Sequence, residues 1–286
     1  MSLILGLIVL GAVVMGAWQF VQFNDGRLHL VFCDVGQGDA IYLKAPNGKE
    51  LLIDGGPDES VLDCLSSERP FYDRKIDLLA STHPQADHLT GLIPVLERYN
   101  IDYILLENII NQTAIFSQFE NAVKEEKAKI YNPRAGDKIK LGDLELVFYW
   151  PKEAIGDKKI WDEDDSSEPE IKNLNDYSLV LEVKYGDFRA LLTGDAETDS
   201  LEQITGLGKV NILKVSHHGS KNGLSEKSLE ILRPNLAVIS VGENNRFGHP
   251  APETLKLLQK AGIKVLRTNQ KGKIRIISDG YRWFVD

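Results

Sequence analysis

The stretch 81–91, Ser-Thr-His-Pro-Gln-Ala-Asp-His-Leu-Thr-Gly, constrains the fold of this chain more strongly than any other segment. It follows a short apolar run, 76–80, which is typical of a buried strand, and it precedes a helical pattern. His83, Asp87 and His88 therefore lie on a strand-to-helix turn, where side chains can converge on a metal ion without a long loop. From this stretch alone, a polar surface turn remains a competing interpretation.

Three later clusters repeat the same residue types and favour a metal site. They are the segments 193–195 (Thr-Gly-Asp), 216–220 (Ser-His-His-Gly-Ser) and 248–250 (Gly-His-Pro). Together with the first stretch they hold five of the six histidines of the chain. Each follows a predicted strand, and side chains behind separate strands meet at one edge of a sheet. Imidazole and carboxylate groups suit zinc, manganese or iron, and the lack of thiolates argues against a structural zinc.

Strand and helix patterns alternate in both halves of the chain. Each half begins as a β-rich meander and continues with short strands separated by helical segments, such as 226–232 and 252–260. A chain of 286 residues can bury one large core. Two sheets packed face to face with helices outside would bury such a pattern. The sequence therefore predicts an α/β fold, a four-layer αββα sandwich.

The acidity of the chain is mostly local. The net charge is −9, and six of the acidic residues lie in one run, 162–170, which contains no base. This run belongs to a polar insertion, 152–173, for which a lid and a solvated loop are both open interpretations. The negative net charge gives no sign of a basic nucleic-acid-binding surface, although a local basic patch remains an open interpretation. That patch comprises Arg267, Lys271, Lys273 and Arg275.

The first 24 residues carry no charged side chain, and 3–23 is nearly continuous apolar sequence. About 20 apolar residues suffice to cross the hydrocarbon core of a bilayer. A cleaved signal peptide is the competing interpretation, but a basic start and a clear cleavage site are both lacking. We therefore expect a transmembrane anchor at 1–24 and a separate domain at 25–286. Because only Arg27 comes soon after the span, its orientation stays undetermined.

The two cysteines, Cys33 and Cys64, match neither a CxxC nor a zinc-ribbon spacing. Cys33 lies in a strand pattern and Cys64 near a helix end. A disulfide between them is one interpretation, and two buried thiols are the one that the sequence favours.

The order of these clusters resembles that of the metallo-β-lactamase superfamily. The matching segments are Asp54-Gly55-Gly56, His83-x-x-x-Asp87-His88, Thr193-Gly194-Asp195, His217-His218-Gly219-Ser220 and Gly248-His249-Pro250. The segments 34–39 and 214–220 are similar, more specifically, to the hydrolase domain of ComEC-type DNA-internalisation competence proteins. The match runs from about residue 28 to the C-terminus and implies a metallo-β-lactamase-like sandwich after the anchor.

The resemblance also implies roles for individual residues. It implies one or two divalent ions, zinc or manganese, with Asp195 as the carboxylate shared between them. The implied metal ligands are His83, Asp87, His88, Asp195, His217 and His249, and the implied catalytic residues are Asp87, Asp195, His217 and His218. Asp54 would orient a ligand histidine, and Asn175 and Ser178 replace a third-motif histidine. Apart from the resemblance, Asp39 flanks a glycine turn and is either a turn former or a residue that lines the site.

Gln85 departs from the pattern of the superfamily. Its position is usually histidine in the superfamily and aspartate in the ComEC-type family, and a neutral amide oxygen is a poorer ligand for a divalent ion. The site built on His83 is therefore expected to be weaker than the one built on Asp87, His88, Asp195 and His249. A one-metal enzyme and a chain without catalysis are both consistent with this change.

Taken together, these features predict a membrane-anchored, metal-dependent hydrolase. The resemblance implies a phosphodiesterase or nuclease that acts on DNA or nucleotides by attack of a metal-bound hydroxide, at the bacterial cell surface. A hydrolase of a lactam, lactone or thioester is the alternative, and a catalytically inactive surface binding module is a third. A separate channel protein is a conceivable partner, and the sequence does not define the oligomeric state.

Overall fold

The computed structural model describes residues 2–152 and 173–286, and within them the chain forms two mixed β-sheets. The first sheet has the order β15-β14-β1-β2-β3-β4-β5-β6. Its strands are β1 (Leu28–Phe32), β2 (Ile41–Lys44), β3 (Glu50–Ile53), β4 (Lys75–Ala80), β5 (Asn100–Leu105), β6 (Lys129–Tyr131), β14 (Ile274–Ser278) and β15 (Trp283–Val285).

The second sheet has the order β13-β12-β11-β10-β9-β8-β7. Its strands are β7 (Lys138–Leu141), β8 (Leu144–Trp150), β9 (Val180–Tyr185), β10 (Phe188–Leu192), β11 (Ile212–Lys214), β12 (Leu236–Ile239) and β13 (Lys264–Arg267). The helices are α1 (Ser2–Phe23), α2 (Ser60–Glu68), α3 (Ala86–Leu89), α4 (Leu92–Arg98), α5 (Ala114–Glu125), α6 (Thr198–Leu201), α7 (Glu226–Leu232), α8 (Pro252–Lys260) and α9 (Thr268–Lys271).

Three hydrophobic cores divide the domain into four layers. Strand β1 illustrates the division, because Leu30 and Phe32 point into the core between the sheets while Val31 points to the helix side. The core around Val31 is shared with α2, α4 and α5. A third core lies on the outer face of the second sheet, under α7 and α8. The predicted αββα sandwich is therefore confirmed.

Each sheet contains a run of parallel strands, and the carboxyl ends of these strands position the side chains of the candidate site. In the first sheet β3, β4, β5 and β6 are parallel, and in the second β10, β11, β12 and β13 are parallel. Loops that follow parallel strands gather at one edge of a sheet. The loops after β3, β4, β10, β11 and β12 carry the histidines and aspartates discussed below.

Cys33 and Cys64 form a disulfide bond, so the prediction of two buried thiols was wrong. Cys33 follows β1 and Cys64 lies on α2, and both belong to the core between the first sheet and its helices. Their Cα atoms are 5.8 Å apart, which lies within the range that a disulfide bridges. Because the two residues are 31 positions apart, spacing in the sequence does not reveal this contact.

Helix α1 is long and apolar enough to cross a membrane. Its segment Ile4–Phe23 has a mean hydropathy of 2.2, and none of that segment is buried within the protein. A cleaved signal sequence passes the same test of length and composition. The predicted insertion 152–173 lies outside the described residues, apart from its first and last positions.

Candidate metal centre

Four side chains from three separate segments meet at one point between the sheet edges. Asp87, His88, Asp195 and His218 each offer a ligand atom, and these atoms lie within 4.8 Å of one another. Oδ2 of Asp195 is 3.4 Å from Nε2 of His88 and 3.4 Å from Nε2 of His218. Oδ2 of Asp87 is also 3.4 Å from Nε2 of His218. Two imidazole nitrogens and two carboxylates thus surround a common centre.

Local backbone geometry brings these groups together. Asp87 and His88 lie in the first turn of α3, directly behind the loop that follows β4. Gly194 adopts φ +49°, and a Cβ atom there would lie 2.6 Å from Oγ of Ser178, so only glycine fits before Asp195. His217 and His218 adopt φ of 49° and 53°, values that are costly for residues other than glycine. Such backbone strain is typical of functional sites.

Hydrogen bonds fix which nitrogen of each ligand histidine faces the centre. Nδ1 of His88 is 2.8 Å from Oδ2 of Asp54, and Nδ1 of His218 is 3.0 Å from the carbonyl oxygen of Ser240. Since a carbonyl oxygen only accepts, Nδ1 of His218 donates to it, and Nε2 is the nitrogen that can bind a metal ion when the ring is neutral. Asp54 is itself held by Thr82, whose backbone N–H donates at 2.8 Å and whose Oγ1 donates at 2.7 Å. This is the support that ligand histidines receive in metal sites.

The atoms that face the centre lack other partners. Nε2 of His88, Nε2 of His218 and both carboxylate oxygens of Asp195 are buried and have no hydrogen-bond partner in the part of the chain that the structure describes. A buried polar atom without a partner costs about 1–3 kcal/mol, and each native example needs an explanation. A divalent cation would satisfy these atoms at once. The residues therefore fit zinc, manganese or iron, which accept mixed imidazole and carboxylate ligands.

Charges within the centre shift the pKa values of its members. Burial opposes the protonation of His88, but the carboxylates of Asp195, Asp54 and Asp87 raise its pKa well above the usual range. Burial likewise works against the charged form of Asp195, yet His218 and His88 hold its pKa well below the usual range. In the metal-free protein the centre is thus a network of imidazolium and carboxylate groups. Protons and a metal ion therefore compete for it.

Lys214 contributes a buried cation that sequence reasoning missed. Its side chain is fully buried at the end of β11, and its Nζ contacts Oδ2 of Asp39 and lies 3.6 Å from Oδ1 of Asp195. It also donates to the carbonyl oxygen of Gly194 at 2.7 Å. Burial opposes the charge of Lys214, but Asp39 and Asp195 raise its pKa. The sequence does carry a signal for this role, because Lys214 lies in an otherwise apolar strand. A lysine is almost never fully buried unless it is paired with an opposite charge.

His83 lies beside the centre without joining the group of four. Its ring centroid is 4.1 Å from that of His88, and its Nδ1 is 3.1 Å from Oγ of Ser178. Burial and the positive charge of His88 lower the pKa of His83 to about 3, so its imidazole is neutral. Oγ of Ser178 also accepts from the backbone N–H of Asp195 at 2.9 Å, which links the two ends of the site.

Gln85 and Asn175 form part of the rim. Nε2 of Gln85 donates to Oδ1 of Asn175 at 2.9 Å, and Nδ2 of Asn175 lies 3.5 Å from Nδ1 of His217. Nε2 of His217 is 3.8 Å from Oδ2 of Asp195, while its Nδ1 is 3.3 Å from Oε1 of Glu197. Glu197, two residues after Asp195, was not anticipated from the sequence.

The structure does not bring His249 into the group of four described above. Its ring centroid is 5.5 Å from that of His217, at the outer side of the site. Burial and the charges of His217 and His218 lower the pKa of His249, which keeps the imidazole neutral. We expected Asp87, His88 and Asp195 to be joined by His249. In the structure the fourth member of the group is His218, for which the resemblance implies a catalytic role. Ligand roles for His83, His217 and His249 remain predictions.

The fold consists of two sheets between helical layers, and histidines and carboxylates gather where loops of both sheets meet. These features define a class of α/β proteins with a candidate metal centre at the edge of a β-sandwich. The chain belongs to the metallo-beta-lactamase superfamily, whose family model matches residues 33–243. The resemblance inferred from the order of the motifs is thereby confirmed.

Two curated relatives specify the branch of the superfamily. ComE operon protein 3 of Bacillus subtilis (strain 168) is 29% identical over 272 residues, which cover 88% of this chain and 33% of the relative. Recombination protein 2 of Haemophilus influenzae (strain ATCC 51907 / DSM 11121 / KW20 / Rd) is 39% identical over 263 residues, covering 90% of this chain and 30% of the relative. The similarity to ComEC-type proteins is confirmed, and the chain spans about a third of the length of these relatives.

A solved structure supports the fold independently. The metallo-beta-lactamase fold protein YhfI from Bacillus subtilis superposes with a TM-score of 0.55, covering 91% of this chain and 100% of that chain. Its sequence identity is 12%, so the similarity concerns the fold alone.

Proposed function

We propose that this chain is a membrane-anchored, metal-dependent phosphodiesterase that cleaves DNA or nucleotides on the outer side of a membrane. The observation that carries the proposal is the group Asp87, His88, Asp195 and His218, whose inward-facing atoms include buried ones that have no hydrogen-bond partner among the described residues. The resident cofactor would be one or two divalent ions, zinc or manganese. Such an ion supplies Lewis acidity and lowers the pKa of a bound water.

The protein groups around the centre have distinct tasks in this proposal. Asp54 and the carbonyl oxygen of Ser240 hold the rings of His88 and His218 with Nε2 inward. Lys214 neutralises part of the charge of Asp39 and Asp195 and keeps Oδ1 of Asp195 turned away from the histidines. The centre is therefore held in one geometry before substrate arrives, which is the condition for electrostatic catalysis.

His217 is the candidate for proton transfer. It lies at the rim, with Nε2 pointing towards the centre, 3.8 Å from Oδ2 of Asp195. Its Nδ1 faces Oε1 of Glu197 at 3.3 Å, so the carboxylate can orient the ring. An imidazole held in this way can accept a proton at Nε2 or donate it to a leaving group.

The substrate class and the compartment rest on further support. The name of one relative, Recombination protein 2, refers to recombination, a reaction of DNA. We therefore include DNA as a substrate in the proposal for this chain. The disulfide between Cys33 and Cys64 favours an oxidising compartment, since disulfides are rare in reducing cytosol. Helix α1 supplies the proposed anchor, and a separate channel protein is a further proposed partner.

The test is a substrate screen of the full chain with manganese or zinc. We expect cleavage of bis-(p-nitrophenyl)phosphate and of DNA, and no comparable turnover of nitrocefin, a lactone or a thioester. Asp87→Ala should lose at least about a hundredfold in activity, on the scale seen when metal-site groups are removed. Asp199→Ala, an exposed aspartate of α6, serves as the matched control and should remain active.

Other outcomes would replace the proposal. Preferential turnover of the lactam, lactone or thioester would assign the chain to a different reaction of the superfamily. A folded protein that binds less than one ion per chain and hydrolyses none of these substrates would be a binding module.

A further inference from the structure

The loop between α2 and β4, residues 70–74, exposes two aromatic side chains. Phe71 is 59% exposed and Tyr72 is 46% exposed. Their rings pack edge to face with centroids 5.4 Å apart. We call this segment the aromatic loop. Large aromatic groups that remain in water as a pair are a feature of interaction surfaces.

The aromatic loop packs against the last turns of helix α1. The backbone N–H of Phe71 donates to Oε1 of Gln19 at 3.2 Å, and the hydroxyl of Tyr72 donates to the carbonyl oxygen of Gly16 at 3.3 Å. Positions 16, 19 and 23 lie on one face of a helix. Phe23 lines a cavity of ≈ 170 Å³ together with Tyr42 of the domain. The carboxyl-terminal part of α1 therefore contacts the domain, and positions 16, 19 and 23 are half-buried.

The length of α1 determines how deep the aromatic loop lies in a membrane. The helix has 22 residues, which gives a length of roughly 33 Å, against about 30 Å for the hydrocarbon core. Nearly the whole helix is needed to span the bilayer. Gly16 lies seven residues before the end of the helix at Phe23, which corresponds to roughly 10 Å along its axis. A residue in contact with Gly16 is then below the surface of the bilayer.

We propose that Phe71 and Tyr72 insert into the membrane interface beside the anchor, so that the bilayer holds the domain at two points. This inference rests on the proposed anchoring by α1. The side chain of Phe71 has no polar atom to bury, and the hydroxyl of Tyr72 already has its hydrogen-bond acceptor on the anchor, so both rings can lie below the headgroups. Interfacial elements bury their apolar face about 5–10 Å deep, which matches the level of Gly16.

The charged groups of the aromatic loop are compatible with the interface, because the exposed Arg74 can extend its charge to the headgroups and Asp73 has an internal partner. The carboxylate of Asp73 is paired with the buried guanidinium of Arg69 at 3.1 Å. The backbone N–H of Asp73 donates to the carbonyl oxygen of Pro70 at 3.0 Å, which closes the turn. These internal partners reduce the cost of bringing the turn into a medium that offers few hydrogen bonds.

The second attachment point would also orient the metal centre. The aromatic loop precedes β4 at Lys75, whereas the loop that carries His83 and Asp87 follows the same strand after Ala80. A strand rises about 3.3 Å per residue, so Lys75 and Ala80 at the two ends of β4 are separated by about 17 Å. The metal centre would therefore face away from the bilayer, towards a substrate in the surrounding solution.

The test places a single environment-sensitive fluorophore on the full chain in liposomes of phosphatidylethanolamine and phosphatidylglycerol. Separate variants carry the label at Phe71→Cys, at Leu10→Cys in the middle of α1, and at Phe247→Cys. Phe247 is 54% exposed and stacks on His249 at the site, so it is the matched aqueous control. Cys33 and Cys64 are bonded to each other, and the parent chain should remain unlabelled.

We expect spin-labelled lipid to quench most of the fluorescence at positions 10 and 71, and aqueous iodide to quench position 247. Quenching by lipid at position 10 together with quenching by iodide at position 71 would overturn the inference and leave the anchor intact. Protection of position 71 from both quenchers would mean that a protein covers the loop, and it would overturn the inference as well. Absence of lipid quenching at position 10 would refute the anchor and the inference with it.

Discussion

Asp54 and His88 are joined by a hydrogen bond of 2.8 Å between Oδ2 and Nδ1, and both side chains are buried. The aspartate is the first residue after β3, and the histidine lies on α3, 34 positions later. This bond turns the unpaired Nε2 of His88 towards Asp195, 3.4 Å away. The geometry of the metal centre therefore depends on a residue that does not belong to the group of four.

Replacement of this aspartate tests that dependence. We expect Asp54→Asn to weaken metal binding by about 10–100-fold, because the amide can no longer hold the ring of His88 as a charged acceptor. Competition with a chelator in a calorimetric titration measures the change. Asp34→Asn, at an exposed position of the neighbouring loop, is the control and should bind metal normally. Equal metal affinity of Asp54→Asn and the parent chain would contradict the claim that Asp54 holds the ring of His88 in place.

Removal of the buried ammonium group should destabilise the fold. Lys214→Met leaves the carboxylates of Asp39 and Asp195 without their buried partner, and we expect a loss of about 3–5 kcal/mol in the free energy of unfolding. The double variant Lys214→Met/Asp39→Asn should recover part of the loss, because one of the two carboxylates is then neutral. Urea unfolding of the chelator-treated protein measures both, with Lys221→Met at an exposed site as the control. A loss in Lys214→Met no larger than in the control would show that the pairing is unimportant.

Metal binding and metal-free stability should respond to pH in opposite directions. Burial disfavours the protonation of His88 and His218, but nearby carboxylates, chiefly Asp195, raise the pKa of both. Their protonation stabilises the metal-free fold fully below the ordinary pKa of about 6.5, and the contribution is lost as pH rises through the folded-state values. Metal needs the neutral rings, so its affinity rises over the same range.

Thermal unfolding with chelator and with added manganese or zinc measures both trends. We expect the Tm of the metal-free protein to fall above about pH 6.5 and the increase in Tm on adding metal to grow. His29→Gln changes a histidine outside the centre, bonded to Asp25, and should leave the pH dependence of the metal effect unchanged. A metal effect that is largest in acid would contradict the assignment of His88 and His218.

The disulfide gives a further prediction. A loop of the size closed by Cys33 and Cys64, 31 positions apart, stabilises a fold by about 3.7 kcal/mol in the chain-entropy model. The double variant Cys33→Ser/Cys64→Ser should lose a comparable free energy of unfolding. Thiol titration of the denatured parent chain should find no free thiol before reduction and two after it. Two free thiols before reduction, in protein exported to an oxidising compartment, would contradict the bond.

Elements with strong local signals could be predicted from the sequence at their observed bounds. Helix α7 begins where Oγ of Ser225 accepts from the backbone N–H of Ser228, and α8 begins at Pro252. Serine at the N-cap and proline in the first turn are signals that the chain itself carries. Strand β6 was missed, because its three residues are exposed at a sheet edge and show no alternation of buried and exposed positions.

The site was predictable in its residue types and only partly in its geometry. Asp87, His88 and Asp195 were expected to meet, and the structure brings them together. His218 joins them within 4.8 Å, and the ligand role expected for His249 stays a prediction. Lys214 escaped prediction since its charge is offset only by aspartates distant in the sequence. Long-range contacts of this kind leave no local pattern.

The central claim is that Asp87, His88, Asp195 and His218 bind a metal ion. Anomalous X-ray scattering from crystals grown with zinc or manganese tests it directly. We expect an anomalous peak at the centre, with imidazole nitrogens and carboxylate oxygens about 2.0–2.2 Å from the ion. A well-ordered crystal saturated with metal that shows no peak among these four residues, or shows peaks only at other places, would contradict the account.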